Sequence, residues 1–168
     1  MLLKKLSKHD GKSLLALMIA LDNETSFMLY EKGERQSTAE DQSNYIELTI
    51  DRGGMIWGAF INSGAVGFLS LERGLTRRVH HCAYLVVGVL QNESGKGIGT
   101  KLLETAELWA MENEITKLEL TVMTHNHKAF GLYKKMGYEV EGIKRNSVKI
   151  DGVLYDEYYM GKIVNNDH

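Results

Sequence analysis

The sequence predicts a mixed α/β layer fold, and three observations predict it. β-rich and helix-periodic segments follow one another as strand, two helices, three strands, helix, strand, helix and two or three strands. Two of the strand pairs are joined by short turn signals, Ser63-Gly64 and Asp151-Gly152, so much of the sheet is antiparallel. The composition, 43% hydrophobic and 25% charged over 168 residues, is ordinary for a globular chain and excludes a disordered tail, a collagen-like fibre and a disulfide scaffold. A chain of this length buries roughly 70% of its unfolded surface, so residues 1–168 are expected to form one domain.

Each element has its own reason. Leu2, Leu3 and Leu6 start an edge strand, and Asp10 stands where it can cap a helix carrying Leu14, Leu17, Met18 and Leu21 on one face. Ser37-Thr38-Ala39-Glu40 matches a capping box and opens a second helix toward Ile50, ended by Arg52-Gly53-Gly54. Between them, Asn23 to Arg35 has Phe27, Met28 and Tyr30 but no period, which reads as a loop over a cleft. Met55 to Asn62 and Ala65 to Glu72 form a hairpin, and His80 to Leu90 adds a third strand. Ile98, Leu102, Ala106 and Trp109 mark a helix from about Ile98 to Asn113. Leu118, Leu120 and Val122 alternate with polar neighbours in a strand; Ala129, Leu132, Tyr133 and Met136 follow on a helix that Gly137 stops as a left-handed residue. Tyr138 to Ile143 and the pair Asn146 to Ile150 and Val153 to Lys162 complete the sheet. There is no proline, so bends fall to the 17 glycines.

Charge and cysteine narrow the function. Lys plus Arg total 20 against 22 acids, a net charge of -2, so nucleic acid and anionic membranes find no strong sequence-independent attraction. The lone Cys82 forms no internal disulfide, and no apolar run approaches the roughly 18 residues that span a bilayer; a cytoplasmic protein is expected. His80-His81 reads first as a solvated strand pair, and His125-x-His127 lacks the further ligands a metal site needs, so no metal is expected.

Chemistry concentrates in Ser94-Gly95-Lys96-Gly97-Ile98-Gly99-Thr100, which opens the third helix. Three glycines leave backbone N–H groups bare at a helix N-terminus, where they and the dipole favour a phosphate or diphosphate, and Lys96 and Lys101 add charge. The spacing is neither a P-loop nor the dinucleotide G-x-G-x-x-G. A glycine turn that only starts a helix is the plain alternative.

Gly95-Lys96-Gly97-Ile98-Gly99 with Leu102-Leu103 resembles the acetyl-coenzyme A signature of the Gcn5-related N-acetyltransferases. Asn126-x-x-Ala129-x-x-Leu132-Tyr133-x-x-x-Gly137-Tyr138 is similar to that family's second signature, on the next strand-helix unit. The resemblance covers about Val86 to Lys162; the hairpin before it fits in order only. Asp156-Glu157-Tyr158-x-Met160 resembles a subset acting on small amines or protein N-termini. What it implies is a mostly antiparallel twisted sheet with about four helices, splayed between strands 4 and 5, with the pantetheine arm of acetyl-CoA lying in the gap. Val87 and Val89 would contact that arm, a backbone N–H near Val87 or Gly88 would meet the oxyanion, and Ser94 through Thr100 would hold the diphosphate. Gly88 suits a bulge. Asn126 would cap its helix and meet the pantetheine amide or a fixed water, and Tyr133 would donate to the departing sulfur. The resemblance also makes Val153 to Lys162 the candidate edge for a homodimer.

Two positions depart from the family pattern. Ser94 stands where Gln or Arg is usual, which predicts weaker coenzyme binding; Tyr84 stands near a common Glu, which leaves the general base open among Glu72, Tyr84 through water, His80, His81 and Glu24. The implied reaction is acetyl transfer to a primary amine of a small molecule, amino acid or peptide N-terminus by direct attack in a ternary complex. An alkylammonium of pKa about 10.4 is neutral in only about one molecule in 2,500 at pH 7, a cost of about 4.6 kcal/mol, against about 1.1 kcal/mol for an α-amino group of pKa about 7.8. That difference tilts the acceptor toward amino acids and peptide N-termini. The two departures keep a second reading open, a non-catalytic acyl-CoA sensor or interaction module on the same fold.

Overall fold

A computed structural model describes residues 1–165. Its elements run β1 (Leu2–Lys5), α1 (Gly11–Glu24), α2 (Ala39–Asp51), β2 (Met55–Ile61), β3 (Gly64–Arg73), β4 (Cys82–Val89), α3 (Ile98–Glu112), β5 (Lys117–Met123), α4 (His127–Lys135), β6 (Glu139–Ile150) and β7 (Val153–Ile163). The strands form one sheet in the order β1-β2-β3-β4-β5-β7-β6. Every neighbouring pair is antiparallel except β4 with β5. This is the mixed, mostly antiparallel sheet with four α-helices that the sequence predicts.

Strand alternation divides the core in two. Phe68 on β3 and Ile56 and Phe60 on β2 meet Leu14, Leu17, Met18 and Leu21 of α1 and Ile46 of α2 on one face. Their neighbours Leu69 and Trp57 turn to the other face, where Leu102, Leu103, Ala106 and Ala110 of α3 pack with Leu118, Leu120 and Val122 of β5. Each fully buried Leu, Ile or Phe is worth about 1.5–3 kcal/mol, so these two layers fix β2 and β3 from both sides. No described helix is long and apolar enough to cross a membrane.

Several local expectations are corrected. The capping box of α2 uses Thr38 and Asp41, one residue later than Ser37 and Glu40: Thr38 Oγ1 accepts from Asp41 N at 3.1 Å, and Asp41 Oδ2 accepts from Thr38 N at 2.8 Å. Asp10 stands at the N-cap of α1 as expected, but its side chain makes no cap hydrogen bond there; it closes a box with Ser7 around a short 3-10 turn, Lys8–Asp10. The β2–β3 turn is Asn62-Ser63, both at positive φ, so β3 begins at Gly64. Asp151-Gly152 makes the left-handed pair expected between β6 and β7, and Gly137, at φ +94°, follows α4 as expected.

Gly88 makes no bulge. Its register against Phe68 is continuous with Val87 against Leu69 and Val89 against Gly67. The missing side chain serves packing, because a Cβ there would lie 2.9 Å from the Phe68 ring and 3.0 Å from Leu21.

Candidate active site

Strands β4 and β5 pair over only three positions, Cys82 with Lys117, Ala83 with Leu118 and Tyr84 with Glu119. Beyond Tyr84 they part. β4 continues on β3 alone as far as Val89, while Leu120 through Met123 of β5 pair with β7 alone. The expected splay therefore exists, and the β5-side edge of Leu85–Val89 has no strand partner in the sheet. In sheets such an edge is a template for an extended group. Val87 and Val89 stand on this stretch, half-buried against the α3 layer.

The glycine loop lies where β4 passes into α3. Gly95 and Gly97 adopt φ of +78° and +85°, and a Cβ on either would meet no heavy atom within 4 Å. Their bare faces thus answer no packing need of the protein; the left-handed conformation needs glycine, and the open space in front suits an approaching anion. Gly99 differs, since a Cβ there would sit 3.0 Å from Leu132 Cδ2, so its side-chain space is taken by the approach of α4. Ile98 puts its side chain into the core, leaving its backbone to the loop, and Thr100 is half-buried in the first turn of α3. Lys96 is paired with Glu93 at 3.0 Å. The hydroxyl of Ser94 accepts from the ammonium of Lys128.

Three hydroxyl groups converge on the parted strands. Tyr84 Oη and Thr121 Oγ1 lie 2.6 Å apart across the gap. Tyr133 of α4 is buried at 7% exposure, its ring edge-on to Tyr138. Burial pushes the Tyr133 phenol up, and Tyr84 is close enough to add to it. A phenol so raised is a hydrogen-bond donor rather than an acid at neutral pH. Asn126 caps α4, its Oδ1 accepting from Ala129 N at 3.3 Å. Beside Tyr84 opens a depression of about 330 Å³ lined by Tyr84, Glu119, Leu120, Glu141, Tyr159 and Met160.

The structure sorts the five candidate bases. Glu24 is tied to the segment that leads into the glycine loop: its Oε1 accepts from Gln91 N at 2.8 Å, and its carbonyl from Gln91 Nε2 at 3.0 Å. His80 faces Gly74 O at 3.1 Å, and His81, just before β4, holds the backbone of Thr116 and Lys117 through its carbonyl. Both sit at the closed end of the β4–β5 pair. Glu72 and Tyr84 remain, opposite one another on the β3–β4 ladder. Glu72 Oε1 accepts from the Tyr45 hydroxyl at 2.7 Å. Burial first, and the Glu72 carboxylate beside it, push Tyr45 up to about 12, so it stays a donor.

Tyr45, Thr121 and Lys128 were not singled out from sequence. Each matters only through a partner on another element, and none stands in a pattern that marks it. Across the open face, the loop after α1 meets the loop after β5: His125 lies between Phe27, at 5.1 Å, and Tyr155, stacked at 4.2 Å. Arg35 fastens this loop to α1 through a bidentate pair with buried Asp22, at 2.6 and 3.1 Å. Among the described residues no group of three or more His, Cys, Asp or Glu side chains is placed to hold a metal.

Comparison with known proteins agrees with this geometry. The model of the acetyltransferase (GNAT) family matches residues 15–138. The L-amino acid N-acetyltransferase AaaT of Escherichia coli (strain K12) is 29% identical over 106 residues, which span 62% of this chain and 65% of that protein. The crystal structure of a GNAT-family acetyltransferase from Streptococcus pneumoniae superposes with a TM-score of 0.92 at 27% identity, over 97% of this chain and 98% of its own. The structure of yncA from Salmonella typhimurium with its cofactor acetyl-CoA shares the fold, with a TM-score of 0.87 at 16% identity over 100% of this chain and 95% of its own. With a family model spanning most of its length and both signatures facing one crevice, this chain belongs to the acetyltransferase (GNAT) family.

Proposed function

We propose that this chain, acting as one domain, is an acetyl-CoA-dependent N-acetyltransferase whose acceptor is a primary amine, with an amino acid or peptide N-terminus favoured. The observation that carries this reading is the crevice itself: an unpaired β4 edge, a glycine loop with open space before it, and the hydroxyls of Tyr84, Thr121 and Tyr133 at its closed end. Family membership supports the reaction class, and the acetyl-CoA in the yncA structure supports the cosubstrate. AaaT, by its name, acts on L-amino acids.

Acetyl-CoA supplies an activated acyl group on a thioester. The chain's residues do the rest. Backbone N–H groups of Ser94 through Thr100 hold the diphosphate, the free edge near Val87 and Gly88 aligns the pantetheine arm and meets the developing oxyanion, and Val89 and Asn126 flank it. The neutral acceptor nitrogen forms its bond to the acetyl carbon as the carbon–sulfur bond breaks, and the proton the nitrogen then loses passes through water to the sulfur, which leaves as the thiol of the coenzyme. Tyr133 donates a hydrogen bond to the departing sulfur, which suits a phenol too weak to surrender its proton.

The acceptor preference follows from the base. Of the two candidate bases left, Glu72 is engaged by Tyr45 and Tyr84 by Thr121, so neither is held free for a strong base's role. The α-amino group of a peptide N-terminus needs least help, since about one molecule in seven is neutral at pH 7 for a pKa near 7.8. The test is release of free thiol from acetyl-CoA with a panel of amino acids, peptides and alkylamines, followed across pH. For a peptide N-terminus the rate should level off above about pH 8, whereas a free amino acid or a side-chain amine keeps rising toward about pH 10. Coenzyme binding without thiol release for any amine would instead support the non-catalytic module.

A further inference from the structure

Ser94 removes a side chain that could reach a phosphate, yet the fold brings a cation to the same point from the second signature. Lys128, in the first turn of α4, donates to the Ser94 hydroxyl although the two residues are 34 positions apart. No carboxylate pairs with Lys128 among the described residues, whereas Lys96, within the loop, is held by Glu93. Position adds to the argument. The start of a helix is its positive end, where a lysine is unfavourable, and α4 has no acidic residue in its first turn to offset it. Lys128 therefore works against its own helix while its ammonium sits at the mouth of the glycine loop, close to where α3 begins. Two positive helix ends and one unneutralised ammonium make a local field suited to a doubly charged anion.

We propose that Lys128 is the diphosphate-binding cation of this chain, oriented by Ser94, so that a lysine on α4 replaces the long side chain usually found at position 94. The proposal rests on the acetyl-CoA reading above. On this proposal Lys128 compensates for the loss at Ser94, so that loss does not by itself weaken coenzyme binding.

Calorimetry on the full chain tests it, with acetyl-CoA and with 3′-dephospho-coenzyme A as ligands. Wild type should bind both. Lys128→Met should weaken both by the same factor, about ten- to a hundredfold for one charge-assisted contact, and the difference should shrink as salt is raised. Lys128→Arg should keep most of the affinity, and the double variant Ser94→Arg with Lys128→Met should regain it. The melting temperature of Lys128→Met should not fall, because the side chain is exposed and opposes the helix dipole. Unchanged affinity in Lys128→Met, or a loss seen with acetyl-CoA and absent with the 3′-dephospho form, overturns the proposal; the latter would assign Lys128 to the 3′-phosphate. A wild-type protein that binds neither ligand overturns the coenzyme reading itself.

Discussion

Replacing Gly97 by valine separates a glycine kept for a ligand from one kept for packing. Gly97 is the N-cap of α3 at φ +85°, and a Cβ there meets nothing within 4 Å. The protein's own cost is therefore conformational only. An L-residue in the left-handed region costs about 1–2 kcal/mol, with a β-branched side chain at the upper end. Against a total stability of about 5–15 kcal/mol the variant stays folded, and its melting temperature should fall by about 2–8 °C for a chain of this size. The effect on coenzyme should be far larger. The isopropyl group enters the space in front of the loop and displaces the diphosphate from two or so backbone N–H groups, each about 1.5–3 kcal/mol to a charged partner. That is about 3–6 kcal/mol, or a hundred- to ten-thousandfold in affinity. Calorimetric titration with acetyl-CoA beside a thermal melt reads both quantities. Gly88→Val is the packing control: its Cβ would press on Phe68 and Leu21, so stability itself should fall by about 1–3 kcal/mol. A folded Gly97→Val protein that binds acetyl-CoA as tightly as wild type would refute the loop as the diphosphate site.

Three more outcomes follow from the geometry. Tyr133→Phe should lower turnover by about a hundredfold, in the range for one positioned proton donor, with the dissociation constant of acetyl-CoA little changed; equal turnover removes its assigned role. Arg35→Met strands the Asp22 carboxylate, whose side chain is 2% exposed, and should cost about 3–5 kcal/mol, read by urea unfolding, with part regained on adding Asp22→Asn. In alkali, the folded phenols of Tyr45, Tyr133 and Tyr138 are all raised, chiefly by burial. Below about pH 10 both folded and unfolded states keep these protons, and stability is intact; above it the unfolded chain releases protons that the folded one retains. The melting temperature should therefore fall from about pH 10 upward, as pH climbs toward the folded value of about 12 for Tyr45. Tyrosinate absorbance of the native protein should show a late-titrating group, and all eight tyrosines ionising together near pH 10 would contradict it.

Much of the fold was legible because helix and strand periods are local properties. The stripe of Ile98, Leu102 and Ala106 marks α3 wherever that helix docks, and the order of elements restricts the sheet to few arrangements. Registers and glycine roles were less legible. Ser37-x-x-Glu40 and Thr38-x-x-Asp41 are overlapping capping boxes of nearly equal local merit, and the one that forms accompanies the burial of Gln42, Ile46 and Thr49. A glycine looks the same in sequence whether it supplies a left-handed turn, as Gly97 does, a close helix contact, as Gly99 does, or room for a core ring, as Gly88 does.

The candidate site divides along the same line. By itself the sequence determined the order of elements, the two signatures and hence the family, because each is written in residues a few positions apart. Tertiary structure alone decided that β4 and β5 part after Tyr84, that Tyr84 meets Thr121 across the gap, that Tyr45 holds Glu72, and that Lys128 stands over Ser94. Those contacts join groups on different elements, and the distance between such groups is set by how two packed layers settle against the sheet, a quantity that no local spacing encodes.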